Sequence, residues 1–181
     1  MPKSTKLLST KILAKTRIFT IEETRVQFSN GHEHTFERIC GRHPGAVMII
    51  AMLDDETFLL IREYAPAANK YILGFPKGAM DEGENPLESA NRELMEETGY
   101  GAKELTHLAK WSLSPAYFNA DMDIVLAKNL YPKKLEGDEP EEIEVIPWKI
   151  SDIDKLLKHP EFHESRSVAG VLLLERLYEK N

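Results

Sequence analysis

The stretch Gly78–Tyr100, GAMDEGENPLESANRELMEETGY, decides how the rest of the chain is read. Its middle has the marks of a helix start. Asn85 suits the N-cap, Pro86 the first helical position, and Glu88 the third, where it closes a capping box. The helix is expected to run to about Thr98, with Gly99 as a left-handed C-terminal cap. Glu93, Glu96 and Glu97, spaced i, i+3 and i+4, then share an arc of about 100°. Leu87, Ala90 and Leu94 make the neighbouring apolar face. The helix therefore docks with one side and holds three carboxylates at its rim.

Like charges at i, i+4 repel by roughly a few tenths of a kcal/mol on an exposed helix. Crowding them beside a packed surface raises that cost unless a cation sits between them. Oxygen donors of this kind suit Mg²⁺ or Mn²⁺, and the lack of Cys or His among them speaks against zinc. Arg92 lies four residues before Glu96 and can brace it. Taken alone, three glutamates on one face are also an ordinary solvated acidic surface.

The whole chain sets bounds on both readings. Its 181 residues make about one domain. With 42% hydrophobic and 29% charged residues, a disordered chain is excluded. The 23 basic against 30 acidic residues, a formal net charge of −7, speak against a duplex nucleic-acid binder. A phosphorylated small molecule stays possible, because a metal ion can supply the missing positive charge. The single cysteine, Cys40, excludes an intrachain disulfide and a multi-cysteine metal site, and reads as a small hydrophobe near a strand end. Residues 1–20 carry lysines but no long apolar core, so no signal peptide is expected. The longest apolar run, Ala46–Leu53, is far short of the roughly 20 residues that span a bilayer. A cytoplasmic protein with no membrane and no nucleic-acid partner is the expectation.

Upstream of the helix the chain reads as β structure. Thr24–Phe28 and His34–Ile39 alternate polar and apolar residues, and Asn30-Gly31 between them predicts a type I′ hairpin. His32 and His34 are expected to be exposed strand residues rather than ligands. Ala46–Leu53 looks like a strand buried on both faces, followed by strands at Thr57–Ile61 and Tyr71–Phe75. Downstream, strands are expected near Leu105–Leu113, Asp123–Lys128 and Ile143–Trp148. A short helix capped by Ser151 should run to Lys158. A last one, about Ser165–Glu179, should carry Val168, Val171, Leu172 and Leu174 on or beside its buried stripe. This irregular interleaving predicts an α/β fold, a mixed sheet between helices.

Gly78, Glu84 and Arg92-Glu93-Leu94-Met95-Glu96-Glu97-Thr98-Gly99-Tyr100 together resemble a complete Nudix box, Gly-x5-Glu-x7-Arg-Glu-U-x-Glu-Glu-x-Gly-U. Tyr100 departs mildly in polarity at the last bulky position. By chance, seven fixed positions match on the order of once in 10⁸ starts, which sets the solvated-face reading aside. The resemblance implies a Nudix α/β/α sandwich over residues 45–181, preceded by a small N-terminal β region at 1–44 for dimerisation and substrate contacts. It implies divalent metal, Mg²⁺ or Mn²⁺, on Glu93, Glu96 and Glu97 with the carbonyl of Lys77. Glu84 would support that shell, and Arg92 would orient a glutamate. It also implies hydrolysis of a nucleoside diphosphate linked to another group.

Residues outside the box favour the ADP-ribose pyrophosphatase branch. Pro115 stands sixteen residues after Gly99, as in that branch, while Tyr117 fits the dinucleoside-polyphosphate hydrolases. Pro115, Tyr117 and Phe118 would thus flank the substrate. Ala65 replaces the arginine that often follows the tyrosine of the second core strand, so Arg62 or Arg38 would take its place against a phosphate. From the acidic loop Glu136–Glu142 the resemblance implies a catalytic glutamate, Glu141 before Glu139, acting with Glu96 and Glu97. ADP-ribose, NADH and diadenosine polyphosphates are the expected substrates, with Phe19, Phe28, Tyr64 or Phe118 against adenine. A homodimer is expected, because the N-terminal β region is too small for its own core. A pyrophosphatase for a sugar nucleotide or coenzyme A, a non-catalytic ligand sensor and a structural module remain as alternatives.

Overall fold

In the computed structural model, which describes residues 4–41, 43–137 and 140–178, ten strands join one mixed sheet. They are β1 (Thr5–Lys15), β2 (Phe19–Phe28), β3 (Glu33–Gly41), β4 (Ala46–Met52), β5 (Thr57–Ala65), β6 (Lys70–Gly74), β7 (Lys77–Ala79), β8 (Tyr100–Ser114), β9 (Phe118–Pro132) and β10 (Glu144–Lys149). The main path is β1-β2-β3-β9-β4-β5-β10, with β6 on β5, β7 on β4 and β8 on β9. β9 runs parallel to β3 and β4, and the other pairs are antiparallel.

β4 shows why the sheet is buried on both sides. Met48, Ile50 and Met52 point into one core with Phe58, Leu60 and Phe75, under α2 (Ile153–Leu156) and α3 (Ser165–Tyr178). Val47, Ile49 and Ala51 point into the other, under α1 (Pro86–Thr98) through Ala90 and Leu94. A strand clothed on both faces must be apolar at every position, as this one is. The result is the expected α/β/α sandwich.

The start and end of α1 follow from its own residues. Asn85 Oδ1 accepts from the N–H groups of Leu87 (3.0 Å) and Glu88 (3.1 Å), and Glu88 Oε2 accepts from that of Asn85 (3.1 Å). Gly99 ends it at φ +76°.

The structure corrects two expectations and sharpens two others. The β2–β3 turn is not type I′: only Gly31, at φ +80°, is left-handed, and the loop is four residues long. Asn30 Oδ1 instead accepts from His32 N–H (3.0 Å), a side-chain turn that removes the need for a second positive φ. Ser151 caps no helix; it lies in a 3₁₀ turn, Ile150–Asp152, ahead of a four-residue α2 with no side-chain cap. Leu172 is exposed on α3, while Val171 and Leu174 are buried. β1 went unrecognised because none of its residues is buried, so it lacks the in–out alternation that marks a half-buried strand.

β1–β3 join the rest through a short contact. Ile39 and Cys40 pair with Phe118 and Asn119, and Ile39 N–H donates to the Tyr117 carbonyl (2.7 Å). Leu7, Ile12, Ile18 and Phe36 are left exposed on this part. Leu94, by contrast, is wholly buried between α1 and the sheet. Leu94→Ala is expected to cost about 3 kcal/mol of stability, seen as a lower urea midpoint at unchanged slope.

Candidate active site

β7 is a three-residue strap across β4 that passes directly under the carboxylate face of α1. Lys77 N–H donates to Glu97 Oε2 (2.7 Å). At Gly78 a Cβ would overlap the carboxyl group of Glu93, so only glycine lets strap and helix approach this closely. Glu93 and Glu97 are consequently 7% and 3% exposed, which is lower than a rim position on the helix suggested.

Arg92 ties the group together. It grips Glu84 with a two-pronged fork, Nε to Oε1 and Nη2 to Oε2, both at 2.8 Å. Nη1 donates to Glu93 Oε1 (2.8 Å) and Glu96 Oε2 (3.1 Å), and Nη2 also to the Ala79 carbonyl (2.9 Å). Every N–H of the guanidinium is therefore used within the chain. Arg92 braces carboxylates and has no donor left for a substrate.

The charges are unevenly compensated. The Arg92 fork holds the Glu84 carboxyl down at about 2. Burial pushes Glu97 up to about 8; Lys77 pulls it down, and Glu63 and Glu93 push it further up. Negative charge is thus concentrated where water cannot relieve it.

Among the described residues no three His, Cys, Asp or Glu side chains converge on one point that could hold a metal ion. The expected three-glutamate cradle is not closed, because Arg92 draws Glu93 and Glu96 while the strap holds Glu97. The donors still fit a hard divalent cation. They are oxygens only, two of the three carboxylates are buried, and burial holds one of them, Glu97, far above its ordinary pKa.

A cleft of about 500 Å³ opens over these residues, walled by Glu93, Glu96, Glu97 and Lys77. It also takes in Glu63, whose carboxylate pairs with Lys77 Nζ, together with Asp81 and Glu136. None of these three was singled out from the sequence. Glu63 had a signal: it lies two and four residues beyond Ile61 and Leu59, so the period of β5 puts it on the α1 face.

Four expected substrate residues come together elsewhere. Arg38, Pro115, Tyr117 and Phe118 line one cleft of about 360 Å³, where Arg38 is engaged twice by Glu22 (3.0 and 2.8 Å). Arg62 is not among them. It is paired with Glu144 (2.6 Å) and Glu161 (2.9 Å) beside the Tyr64–Tyr71 cleft. Glu141 lies in that cleft too, its Oε1 accepting from Tyr71 Oη (2.5 Å), and is not brought to the three glutamates. Glu139 lies outside the described residues. The acidic loop delivers Glu136 to the carboxylates instead, and a loop with no internal period could not have shown which glutamate would arrive.

The low Glu84 pKa is a stability contribution with a definite pH window. It is fully present above about 4.5 and is lost as pH falls toward 2, because protonation breaks the fork. Glu84→Gln should therefore be less stable than wild type near neutrality by about 1–2 kcal/mol. The gap between urea midpoints should narrow steadily between pH 5 and pH 3, by roughly half or more.

Comparison with known proteins points to one family. The NUDIX domain model matches residues 42–169, and the NudE-type Nudix hydrolase N-terminal domain model matches residues 6–38. The chain is 45% identical over 168 residues to ADP compounds hydrolase NudE of Escherichia coli (strain K12), covering 93% of this chain and 90% of that one. It is 31% identical over 179 residues to an ADP-ribose pyrophosphatase of Bacillus subtilis (strain 168), covering 94% and 95%. A crystal structure of an ADP compounds hydrolase superposes with a TM-score of 0.88 at 42% identity, covering 97% of this chain and 95% of the other. With box, fold and matches in agreement, the chain belongs to the Nudix hydrolase family.

Proposed function

We propose that this chain hydrolyses the pyrophosphate bond of ADP-linked compounds, ADP-ribose first and also NADH and diadenosine polyphosphates, releasing AMP. The observation that carries this reading is the buried carboxylate group on α1, backed by β7 and short of positive charge. Its likeness over nearly the whole length to proteins named for ADP compounds and ADP-ribose supports the substrate class.

Glu93, Glu96 and Glu97, with the Lys77 carbonyl, would hold Mg²⁺ or Mn²⁺. When bound, a divalent ion there would supply positive charge against the pyrophosphate and a lowered pKa for a water. The chain's own residues do the rest. Arg92 fixes the Glu93 and Glu96 carboxylates in place, and the Lys77 N–H fixes Glu97. A water oxygen bonds to one phosphorus while the bridging P–O bond breaks, giving AMP and ribose 5-phosphate from ADP-ribose. The water's proton passes to a carboxylate of the cleft. Glu136 lines that cleft, whereas Glu141 is committed to Tyr71, so Glu136 is the better acceptor.

The protein would work as a homodimer in the cytoplasm. The exposed apolar side chains of β1–β3 support a second copy there. The free Cys40 suits a reducing compartment. Among the described residues no helix is long and apolar enough to cross a membrane.

With Mg²⁺ the protein should release AMP from ADP-ribose, and EDTA should abolish the release. Glu97→Gln should lower kcat by about 10²-fold or more. Glu136→Gln should lower it at least about tenfold and Glu141→Gln less than about threefold. Metal-independent turnover, or a panel in which only sugar nucleotides or coenzyme A react, would contradict this assignment. Light scattering at micromolar concentration should give about twice 20.6 kDa.

A further inference from the structure

The carboxylate cleft poses a charge problem for any anionic substrate. Six acidic residues line it, and neither cation of its wall is available: Arg92 is saturated and Lys77 is paired with Glu63. A cleft of about 470 Å³ adjoins it, sharing His43 and Ala79 as a common wall. That second cleft holds Lys110 and Arg166, together with Phe19 and Phe118.

Arg166 is held in a fixed place. α3 is fastened to the end of β6, where the Phe75 N–H donates to Ser167 Oγ (3.2 Å). A Cβ on Gly74 would come within 2.7 Å of that oxygen, so glycine permits the contact. Glu164 accepts from the N–H groups of Arg166 and Ser167, both at 3.0 Å, and from Arg166 Nε at 2.7 Å. Burial alone would push Glu164 up, yet the Arg166 guanidinium and these N–H groups outweigh it and hold the carboxyl below its ordinary value. Glu164 is therefore a charged anchor at neutral pH. It takes Nε, and among the described residues Nη1 and Nη2 have no partner.

The first turn of a helix is the wrong end for a cation, since the macrodipole is positive there. A guanidinium held at that place by its inner nitrogen, on a side chain that lines the cleft, is arranged to receive an anion. Lys110, whose Nζ lies 3.8 and 4.0 Å from Asp123 and Asp121, is at the limit of pairing and adds a second positive charge. The other arginine of the substrate region, Arg38, is taken up twice by Glu22 and its cleft does not touch the carboxylates.

We propose that Arg166, assisted by Lys110, binds a phosphate group of the substrate that the α1 carboxylate site does not hold, and so keeps an anion in a cleft whose own charge repels it. This rests on the ADP-compound reading above and names the chain's contact to the substrate's phosphate. The open Nη1 and Nη2 match two oxygens of one phosphate, which a lysine in that position could not do.

The full chain is compared as wild type, R166Q, R166K, K110Q and R176Q, the last a control on the far end of α3. Two readouts are taken: Mg²⁺-dependent ADP-ribose hydrolysis, and calorimetric binding of ADP-ribose in EDTA. For R166Q the expected result is a KM raised about tenfold with kcat within about threefold, and metal-free binding weakened by about the same factor. R166K should fall between, K110Q should raise KM severalfold, and R176Q should match wild type. Should R166Q equal wild type in both readouts, Arg166 does not contact the substrate. If R166Q does not fold, K110Q, on an exposed strand position, decides by the same criterion. A wild type that binds ADP-ribose in EDTA with the same dependence on Arg166, yet never hydrolyses it, would overturn the enzymatic reading while sustaining this one.

Discussion

The Arg92 guanidinium is the tie on which the site depends. One side chain joins the loop glutamate Glu84, the strap carbonyl of Ala79, and the helix carboxylates Glu93 and Glu96. Three segments close in sequence but different in conformation are thereby held as one body. The guanidinium brings a hydrogen-bonded positive charge to Glu93, a carboxylate buried against β7, and a buried carboxylate is stable only where charge or hydrogen bonds compensate it. Arg92 compensates the carboxylates it touches and leaves Glu97 to the β7 strap.

That partial compensation separates two roles that look alike in sequence. Glu84 is fully paired and ionised down to about pH 2, so it acts as framework. Glu97 is buried, faces Glu63 and Glu93, and resists ionisation. Both are glutamates of one motif, yet their surroundings push them in opposite directions. The difference comes from burial and pairing: Glu84 is gripped by a fork of two short hydrogen bonds from Arg92, whereas Glu97 is buried deeply enough that the Lys77 charge and backbone N–H do not outweigh the loss of water.

Features fixed by neighbours in the chain were legible in the sequence. The capping box of α1, its glycine stop and the shared arc of three glutamates depend on spacing alone, and the structure reproduces them. The unbroken apolar run Ala46–Leu53 likewise placed its strand between two apolar layers, as the structure has it. Features fixed by distant segments were not legible. The choice among Glu136, Glu139 and Glu141 depends on how a loop without period crosses the α1 face. The partners of Arg62, Glu144 and Glu161, lie some 80 and 100 residues away. Arg166 was hidden for the same reason: only the seating of α3 on Gly74 and Phe75 shows that its first turn borders the cleft.

The same logic explains why β1 escaped notice while β4 did not. β4 at the sheet's centre announced itself as an unbroken apolar run, whereas β1 at the edge, exposed at every position, carries neither such a run nor an in–out alternation. β1 is eleven residues of exposed edge, held to β2 by main-chain hydrogen bonds and carrying Leu7 and Ile12 into solvent. An edge strand this long and this apolar is a liability for a lone chain, since it offers unpaired backbone and greasy side chains to any passing strand.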